Sequence, residues 1–185
     1  NIFDPQMGVK DLKNGTVKFI GDPSKRIEED YLRIIRFIRF SLQYNYNLLE
    51  SSTIKAIKLN LNGIKSLSKE RIFNELLKII KLSSFKNILQ NEDLQIIFSL
   101  IFPEFKNLKD VKKLNLLSKN EISRIDSNII LALLLMDGSN NHEYFCHKYK
   151  VSNFIKNKLD VFFMSFEKYK SDKNYFKKNL KKNIY

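Results

Sequence analysis

Cysteine, glycine and proline are scarce in this chain, and it has no long apolar run. One cysteine in 185 residues excludes an internal disulfide framework, and a metal site would have to depend mostly on other ligand types. Five glycines and three prolines are about 4% of the chain, against roughly 12% in average globular proteins, which leaves little room for the tight turns of a β-sandwich or barrel. The longest apolar run has eight residues, Ile129 to Met136, whereas a transmembrane helix needs about 18 or more. These shortages predict a soluble, intracellular and mostly helical protein.

Positive charge is in excess. Lysine and arginine number 33 against 20 aspartates and glutamates, which gives a formal net charge of +13. Such a field attracts phosphates and raises the rate of encounter with nucleic acid. A biased composition explains the excess equally well, because lysine, asparagine and isoleucine are abundant along the whole chain. Charge alone therefore leaves both interpretations open.

Apolar residues recur about every 3.6 positions along most of the chain after residue 24, which predicts helices there. The first runs from Arg26 to about Leu42. Capping and stop residues predict further helices over residues 52–60, 69–81, 92–101, 109–117, 127–137, 141–150 and 152–170. Before them, residues 16–20 alternate like a short strand and end at the turn formers Gly21 and Pro23. The predicted fold class is all-α with one short N-terminal strand.

An acid and three arginines recur at intervals of three in the first predicted helix. Asp30, Arg33, Arg36 and Arg39 would project along one row of that helix. Although 6 of the 33 basic residues are arginine, all four basic residues between positions 26 and 39 are arginines. Planar recognition of a phosphate or base edge uses the guanidinium fork, whereas a surface ion pair also accepts lysine. A surface helix with i,i+3 ion pairs is the alternative interpretation.

A neighbouring carboxylate and guanidinium match two of the four bases. The carboxylate accepts hydrogen bonds and the guanidinium donates them. Cytosine and the Watson–Crick edge of adenine each present an amino donor beside a ring-nitrogen acceptor, while guanine or uracil would leave buried polar groups unpaired. Asp30 and Arg33 therefore predict a protein template for C and A. Arg36 and Arg39 would be free to bind a triphosphate or to hold the pair in place.

Three motifs follow one another within residues 3 to about 82. Asp4 to Leu12 fits DPxxGxxDL, Gly21 to Phe40 fits GDP…R…EDxxRxxRxxRF, and Ser68 to Leu76 contains ERI..EL. In this order they resemble the class II nucleotidyltransferase family, which comprises the bacterial-type CCA-adding tRNA nucleotidyltransferases and their poly(A) polymerase relatives. Beyond residue 82 the helical character and a helix start near Val151 fit the family.

The resemblance implies a division into head, neck, body and tail. Residues 1–24 would end the mixed α/β head, from which the short strand is left over, and residues 25–84 would form a helical neck that recognises the base. Residues 85–150 would form a helical body, and residues 151–185 the start of a basic tail. The implied reaction adds C, C and A to the 3′ ends of tRNA, with CTP and ATP as substrates and the tRNA acceptor arm as partner.

The resemblance also implies roles for single residues. The nucleotide-binding set is Asp30, Arg33, Arg36 and Arg39. Residues that support the base-reading helix are Glu29, Glu70 and Arg71. The loop that couples head to neck contains Asp4, Gly8 and Asp11. Met7 departs from the pattern, because the family often has glycine there.

The C-terminal segment is rich in lysine and aromatic residues. From Lys168 to Lys182 there are seven lysines and one acid, Asp172. Such a segment can bind an RNA backbone, and a solvated helical face is the alternative. The predicted RNA-binding residues are Lys168, Lys170, Lys173, Lys177 and Lys178.

The carboxylate pair with which this family binds two Mg²⁺ ions has no counterpart in the sequence, and neither has its Arg-Arg-Asp element. The chain begins at Asn1 without Met and ends at Tyr185, so we expect an excerpt whose missing elements lie upstream. We expect no catalytic residue and no metal ligand in this chain, which would be inactive alone while the absent head binds Mg²⁺.

Two alternatives stay open: a poly(A) polymerase of the same family, and a standalone helical RNA-binding module without catalysis. We expect no membrane association and no obligate protein partner. The expected location is the cytoplasm, or an organelle, because the true N-terminus is not visible.

Overall fold

A computed structural model describes residues 3–44 and 49–175, and the secondary structure of those residues is helical. The α-helices in those ranges are α1 Gly8–Asn14, α2 Pro23–Glu29, α3 Leu32–Gln43, α4 Ser51–Asn60, α5 Lys69–Ile80, α6 Glu92–Ile101, α7 Lys119–Arg124, α8 Ser127–Leu135, α9 Asn141–Lys148 and α10 Asn153–Ser171. Short 3₁₀ helices lie at Leu61–Ser66, Phe85–Gln90 and Leu108–Leu116. The predicted all-α class is confirmed.

The N-terminal strand is not seen, since residues 16–20 form no ladder with any other described residue. The alternating side chains of this segment do differ in their burial. Val17 and Phe19 are partly buried against the core, and the Phe19 ring stacks on Phe37 of α3 with centroids 5.4 Å apart. Lys18 and Ile20 are exposed. A strand also needs a second strand to accept its hydrogen bonds, and none lies beside this segment in the part of the chain described.

One hydrophobic core runs through the described helices, from Ile27 of α2 to Leu159 of α10. Helix α2 packs on α4, α3 on α5, α5 on α8, and α10 on α8 and α9. Aromatic rings fill the middle of the core: the Phe98 ring centroid lies 5.0 Å from that of Phe102 and 5.8 Å from that of Phe105. Residues on both sides of the predicted neck–body boundary at position 84 contribute to this core, and the boundary itself stays a prediction.

None of the helices within the described ranges combines the length and the apolar character that crossing a membrane requires.

Candidate functional site

Asp30 lies between two helices and not within one. Helix α2 ends at Glu29, Asp30 has extended backbone angles (φ −159°, ψ 103°), and α3 begins at Leu32. The Asp30 Oδ1 atom accepts a hydrogen bond from the Leu32 amide at 3.1 Å, which satisfies one of the free amides at the start of α3. The prediction of one continuous helix from Arg26 to Leu42 is therefore wrong. The physical reason is that an aspartate can bind nearby backbone amides and so favours a helix boundary over a helix interior.

Arg33 lies in the same turn as Asp30, but different partners hold the two side chains. The Arg33 amide donates to the Asp30 carbonyl oxygen at 3.0 Å. The Arg33 guanidinium donates through Nη1 to Glu29 Oε2 at 2.5 Å and to the Arg26 carbonyl oxygen at 2.6 Å. Asp30 Oδ2 accepts from Arg71 Nη2 at 2.9 Å. Among the described residues every hydrogen bond of the Arg33 side chain comes from Nη1, so Nε and Nη2 stay available to a ligand.

Glu29 binds two arginines on an exposed surface. Besides Arg33, the Nη1 atom of Arg26 donates to both Glu29 carboxylate oxygens, at 2.7 and 2.8 Å. The hydrogen bond from Arg33 is the main reason that the pKa of Glu29 is lowered, and the hydrogen bond from Arg26 adds to it. The carboxylate therefore stays ionised at neutral pH and keeps the Arg33 side chain beside the helix break.

Arg36 and Arg39 share one buried carboxylate, that of Glu75 on α5. Glu75 is 3% exposed, and its oxygens lie 3.0 Å from Arg39 Nε, 3.6 Å from Arg36 Nε and 2.9 Å from Lys78 Nζ. Burial alone would raise the pKa of Glu75, but the Lys78 hydrogen bond and the positive charges of Arg39 and Arg36 lower it overall. Arg39 is the more enclosed arginine, since its guanidinium carbon lies 4.2 Å from the centre of the Phe40 ring.

The predicted row of arginines is thus divided, with Arg33 facing Glu29 and the next two facing Glu75. Glu75 is the residue of this site whose role sequence reasoning missed. A signal was present, because Glu75 lies between Ile72 and Leu76 on the apolar face of α5. A carboxylate buried there needs a cationic partner, and the arginine-rich segment supplies one.

Three residues were expected to support the base-reading helix. Glu29 binds Arg33 of α3, and Arg71 binds Asp30 just before α3, while Glu70 has a different partner. The Glu70 Oε1 atom is 3.5 Å from Nζ of Lys150, two residues beyond the end of α9. A further support was not foreseen: the Tyr31 ring lies directly over Gly63, where a Cβ atom would come within 2.1 Å of the ring. The glycine therefore allows the 3₁₀ helix Leu61–Ser66 to pack beneath the start of α3.

The expected coupling loop has its own internal bonds. Asp4 accepts hydrogen bonds from the amides of Gly8 (2.6 Å) and Val9 (2.9 Å) at the start of α1, and Asp11 pairs with Lys18 at 2.7 Å. Met7 has a left-handed backbone with φ +58°, which explains why a glycine would suit this position.

A shallow groove beside the coupling loop reaches the far end of α3, where Phe40 and Tyr44 line it. Arg33 is seven residues before Phe40, which is about 10 Å along a helix. The loop thus lies near the opposite end of α3 from Asp30.

The described lysines of the C-terminal segment lie against aromatic rings of that same segment. Lys168 Nζ lies 5.8 Å from the Tyr175 ring centre, and Lys173 Nζ lies 4.7 Å from that of Tyr169. Lys170 pairs with Glu167 at 2.8 Å. Helix α10, which carries two of these lysines, packs on α8 and α9. Lys177 and Lys178 lie outside the described residues.

The carboxylates of this site do not fit a magnesium centre. Within residues 3–44 and 49–175, no three His, Cys, Asp or Glu side chains come together as metal ligands would. Glu29, Asp30 and Glu75 each lie against arginine side chains instead.

A family model and a set of curated proteins match parts of this chain. The family model is described as "Probable RNA and SrmB-binding site of polymerase A" and matches residues 49–109. It therefore covers α4 to α6, including Glu75 and Arg71 on α5.

The curated proteins that match include CCA-adding enzymes from bacteria and CCA tRNA nucleotidyltransferases from animals. Over 78 residues, 42% of this chain, it is 46% identical to the CCA-adding enzyme of Lactobacillus helveticus. Over 86 residues, 43% of this chain, it is 41% identical to the mitochondrial CCA tRNA nucleotidyltransferase 1 of Homo sapiens. The CCA-adding enzyme of Staphylococcus epidermidis is 37% identical over 93 residues, 49% of this chain. The matches span 19%, 19% and 23% of these relatives, about a fifth of their length.

Proposed function

Because the matched part of this chain is related to the CCA-adding enzyme and poly(A) polymerase family of nucleotidyltransferases, we propose that it is the base-reading and RNA-binding part of a CCA-adding tRNA nucleotidyltransferase. The observation that carries the proposal is the helix break at Asp30. There a carboxylate acceptor and the guanidinium donors of Arg33 are presented from one turn.

The proposed reading uses Asp30 Oδ2 and the free Arg33 donors on the Watson–Crick edge of the incoming base. An amino group donates to the carboxylate, and a ring nitrogen accepts from the guanidinium. Cytosine and adenine satisfy both contacts. A base that presents the opposite pattern leaves the carboxylate and guanidinium unpaired, at a cost of about 1–3 kcal/mol for each buried group.

Nucleotide binding then exchanges partners at this turn. Asp30 releases Arg71, whose side chain is 48% exposed, while Arg33 keeps Nη1 on Glu29 and directs its free Nε and Nη2 atoms toward the base. Exposed ion pairs of this kind contribute little stability because water already solvates both charges. The present contacts therefore hold the side chains near their working positions without opposing the nucleotide strongly.

Arg36 and Arg39 take different parts in the proposal. Arg36 is 45% exposed on its side chain and contacts Glu75 at 3.6 Å, so it can reach a phosphate. Arg39 is 18% exposed on its side chain and hydrogen-bonded to Glu75 at 3.0 Å. We therefore assign phosphate binding to Arg36, and a positioning role to Arg39, which fixes α3 on α5.

The metal ion, the substrates, the RNA partner and the location concern the full-length protein. We propose that Mg²⁺ is bound by residues outside this chain, that CTP and ATP are the substrates, and that the tRNA acceptor arm is the partner. Asp4, Gly8 and Asp11 would transmit movement from the catalytic part to α3. The relatives' names include both bacterial and mitochondrial enzymes, so the proposal places the protein in the cytoplasm or an organelle.

The experiment is an extension assay on the full-length protein. A tRNA lacking its 3′ CCA is incubated with Mg²⁺, CTP and ATP, and product length is read at single-nucleotide resolution. Growth by three nucleotides followed by a stop is expected. A long ladder of A would move the protein to the poly(A) polymerase branch, which the family model's description also names, and no extension would leave an RNA-binding module. The 185-residue chain alone is expected to add nothing.

A further inference from the structure

A groove lined by lysines lies between the chain after α4, the end of α6 and the end of α9. Four lysines line it, and its lining includes no aspartate or glutamate. They are Lys58, Lys65, Lys69 and Lys148. Apolar side chains from α6 and from the 3₁₀ helix, Ile101 and Leu61 among them, complete the lining. The groove is therefore cationic around an apolar surface.

Acidic residues outside the groove neutralise two of the four lysines. Lys58 pairs with Asp93 at 2.8 Å, and Lys148 pairs with the buried Glu104 at 2.5 Å. Within the described ranges, Lys65 and Lys69 take part in none of the ion pairs. Those two side chains keep their charge unpartnered, and Lys65 is exposed while Lys69 is half-buried.

The groove adjoins the candidate base-reading site. Lys69 is the first residue of α5, and Arg71, two positions later, holds Asp30. Both residues lie within one helical turn, which rises about 5.4 Å. Side chains two positions apart project from different faces of a helix, so the closer link is the 3₁₀ helix Leu61–Ser66, which lines the groove and packs through Gly63 against Tyr31, the residue after Asp30.

We propose that this groove binds the backbone phosphates of RNA through Lys65 and Lys69, the two lysines of its lining that form no ion pair with an acidic residue in the part of the chain described. The inference rests on the proposed function and names the surface on which the RNA lies. Lysine is a flexible point charge without a planar fork, which suits contact with successive phosphates that carry no sequence information. The region matched by the RNA-binding family model, residues 49–109, includes three of the four lysines.

The test measures the affinity of the 185-residue chain for a tRNA lacking CCA, by filter binding between 0.05 and about 0.3 M salt. The test variant is Lys65→Gln with Lys69→Gln, which leaves both acid-paired lysines in place. The matched control is Lys109→Gln with Lys112→Gln, since these exposed residues lie in another 3₁₀ helix and the charge change is the same. Circular dichroism checks that both variants fold.

Loss of two phosphate contacts should lower the slope of log affinity against log salt by about 1.4 to 1.8. If the affinity at 1 M salt is unchanged, this corresponds to a loss of about 25- to 60-fold at 0.1 M salt. The control variant should keep a steeper slope and lose much less affinity.

Equal losses in the two double variants would overturn the proposal, because general charge and not the groove would then explain binding. An unaltered affinity in the groove variant would also overturn it and would favour an acidic protein surface as the occupant. Failure of the unmodified chain to bind tRNA would refute the groove and the RNA-binding part of the proposed function together. The two proposals can also fail separately. If the groove variant loses tRNA affinity as expected but the full-length protein adds no CCA, the enzymatic proposal alone is refuted.

Discussion

Removal of the Glu75 charge should destabilise the fold, because it breaks the ion pairs that join α3 to α5. Glu75 is buried, and its carboxylate receives Arg39 at 3.0 Å and Lys78 at 2.9 Å, with Arg36 at 3.6 Å. Breaking a fully buried pair costs about 3–5 kcal/mol. The three cations here are partly exposed and can be solvated, so we expect Glu75→Gln to cost about 2–3 kcal/mol, close to the value of hydrogen bonds to a charged group.

The assay is urea unfolding of the chain at a series of pH values, with the m-value used to verify two-state behaviour. Because the pKa of Glu75 is lowered in the folded state, its contribution is complete above the unfolded pKa, near 4.5. The contribution is lost as the pH falls through the lower, folded pKa. The difference in unfolding free energy between the unmodified chain and Glu75→Gln should therefore be constant near neutral pH and shrink in acid.

Glu28→Gln is the matched control, because Glu28 is an exposed acid on α2. This change should alter the free energy of unfolding by less than about 0.5 kcal/mol. A Glu75→Gln variant as stable as the control at pH 7 would refute the reasoning. So would a destabilisation that persists undiminished at pH 3.

Three further changes test the surroundings of the site. Gly63→Ala should lower the free energy of unfolding by about 1–3 kcal/mol, since the new Cβ would lie 2.1 Å from the Tyr31 ring; a melting temperature unchanged by this substitution would contradict the packing. Met7→Gly should be neutral or stabilising by up to about 1 kcal/mol, because it relieves a left-handed backbone at φ +58°, and a clear loss of stability in urea would argue against that conformation. Cys146 is buried with its pKa raised to about 11, chiefly by burial, so a thiol reagent at pH 8 should modify it slowly in the native chain and rapidly in urea; equal rates would show that the thiol is accessible.

The helical class and most helix positions followed from local patterns. The helix predicted over residues 69–81 is α5, and Ser68 caps its start with an Oγ atom that accepts from the Arg71 amide at 3.3 Å. The alternation over residues 16–20 predicted which side chains face the core, although not that the segment lacks a partner strand. Patterns of this kind depend on residues close together in the chain, and those are the ones that sequence periodicity reports.

The contacts that arrange the candidate site connect residues far apart in the chain. Asp30 and Arg71 are 41 positions apart, and Arg39 and Glu75 are 36 positions apart. Spacing along one helix predicted that Asp30 and Arg33 would project side by side, but the competition of the Asp30 carboxylate for the Leu32 amide breaks that helix. The residue types in the sequence therefore identified the charged residues of the site. Which of these residues contact one another depends on how α3 and α5 pack.

The most direct test of base reading is the selectivity of the full-length protein carrying Arg33→Lys. Each of the four nucleoside triphosphates is supplied with a tRNA lacking its 3′ CCA, and the incorporation rates are compared with those of the unmodified protein and of Arg36→Lys. Arg33→Lys keeps the charge but loses the fork, so preference for C and A over G and U should fall by about 5- to 150-fold, the equivalent of about 1–3 kcal/mol for one bidentate contact. tRNA affinity should change little, and Arg36→Lys should slow incorporation with its selectivity intact. Unaltered selectivity in Arg33→Lys would contradict the base-reading role of the helix break.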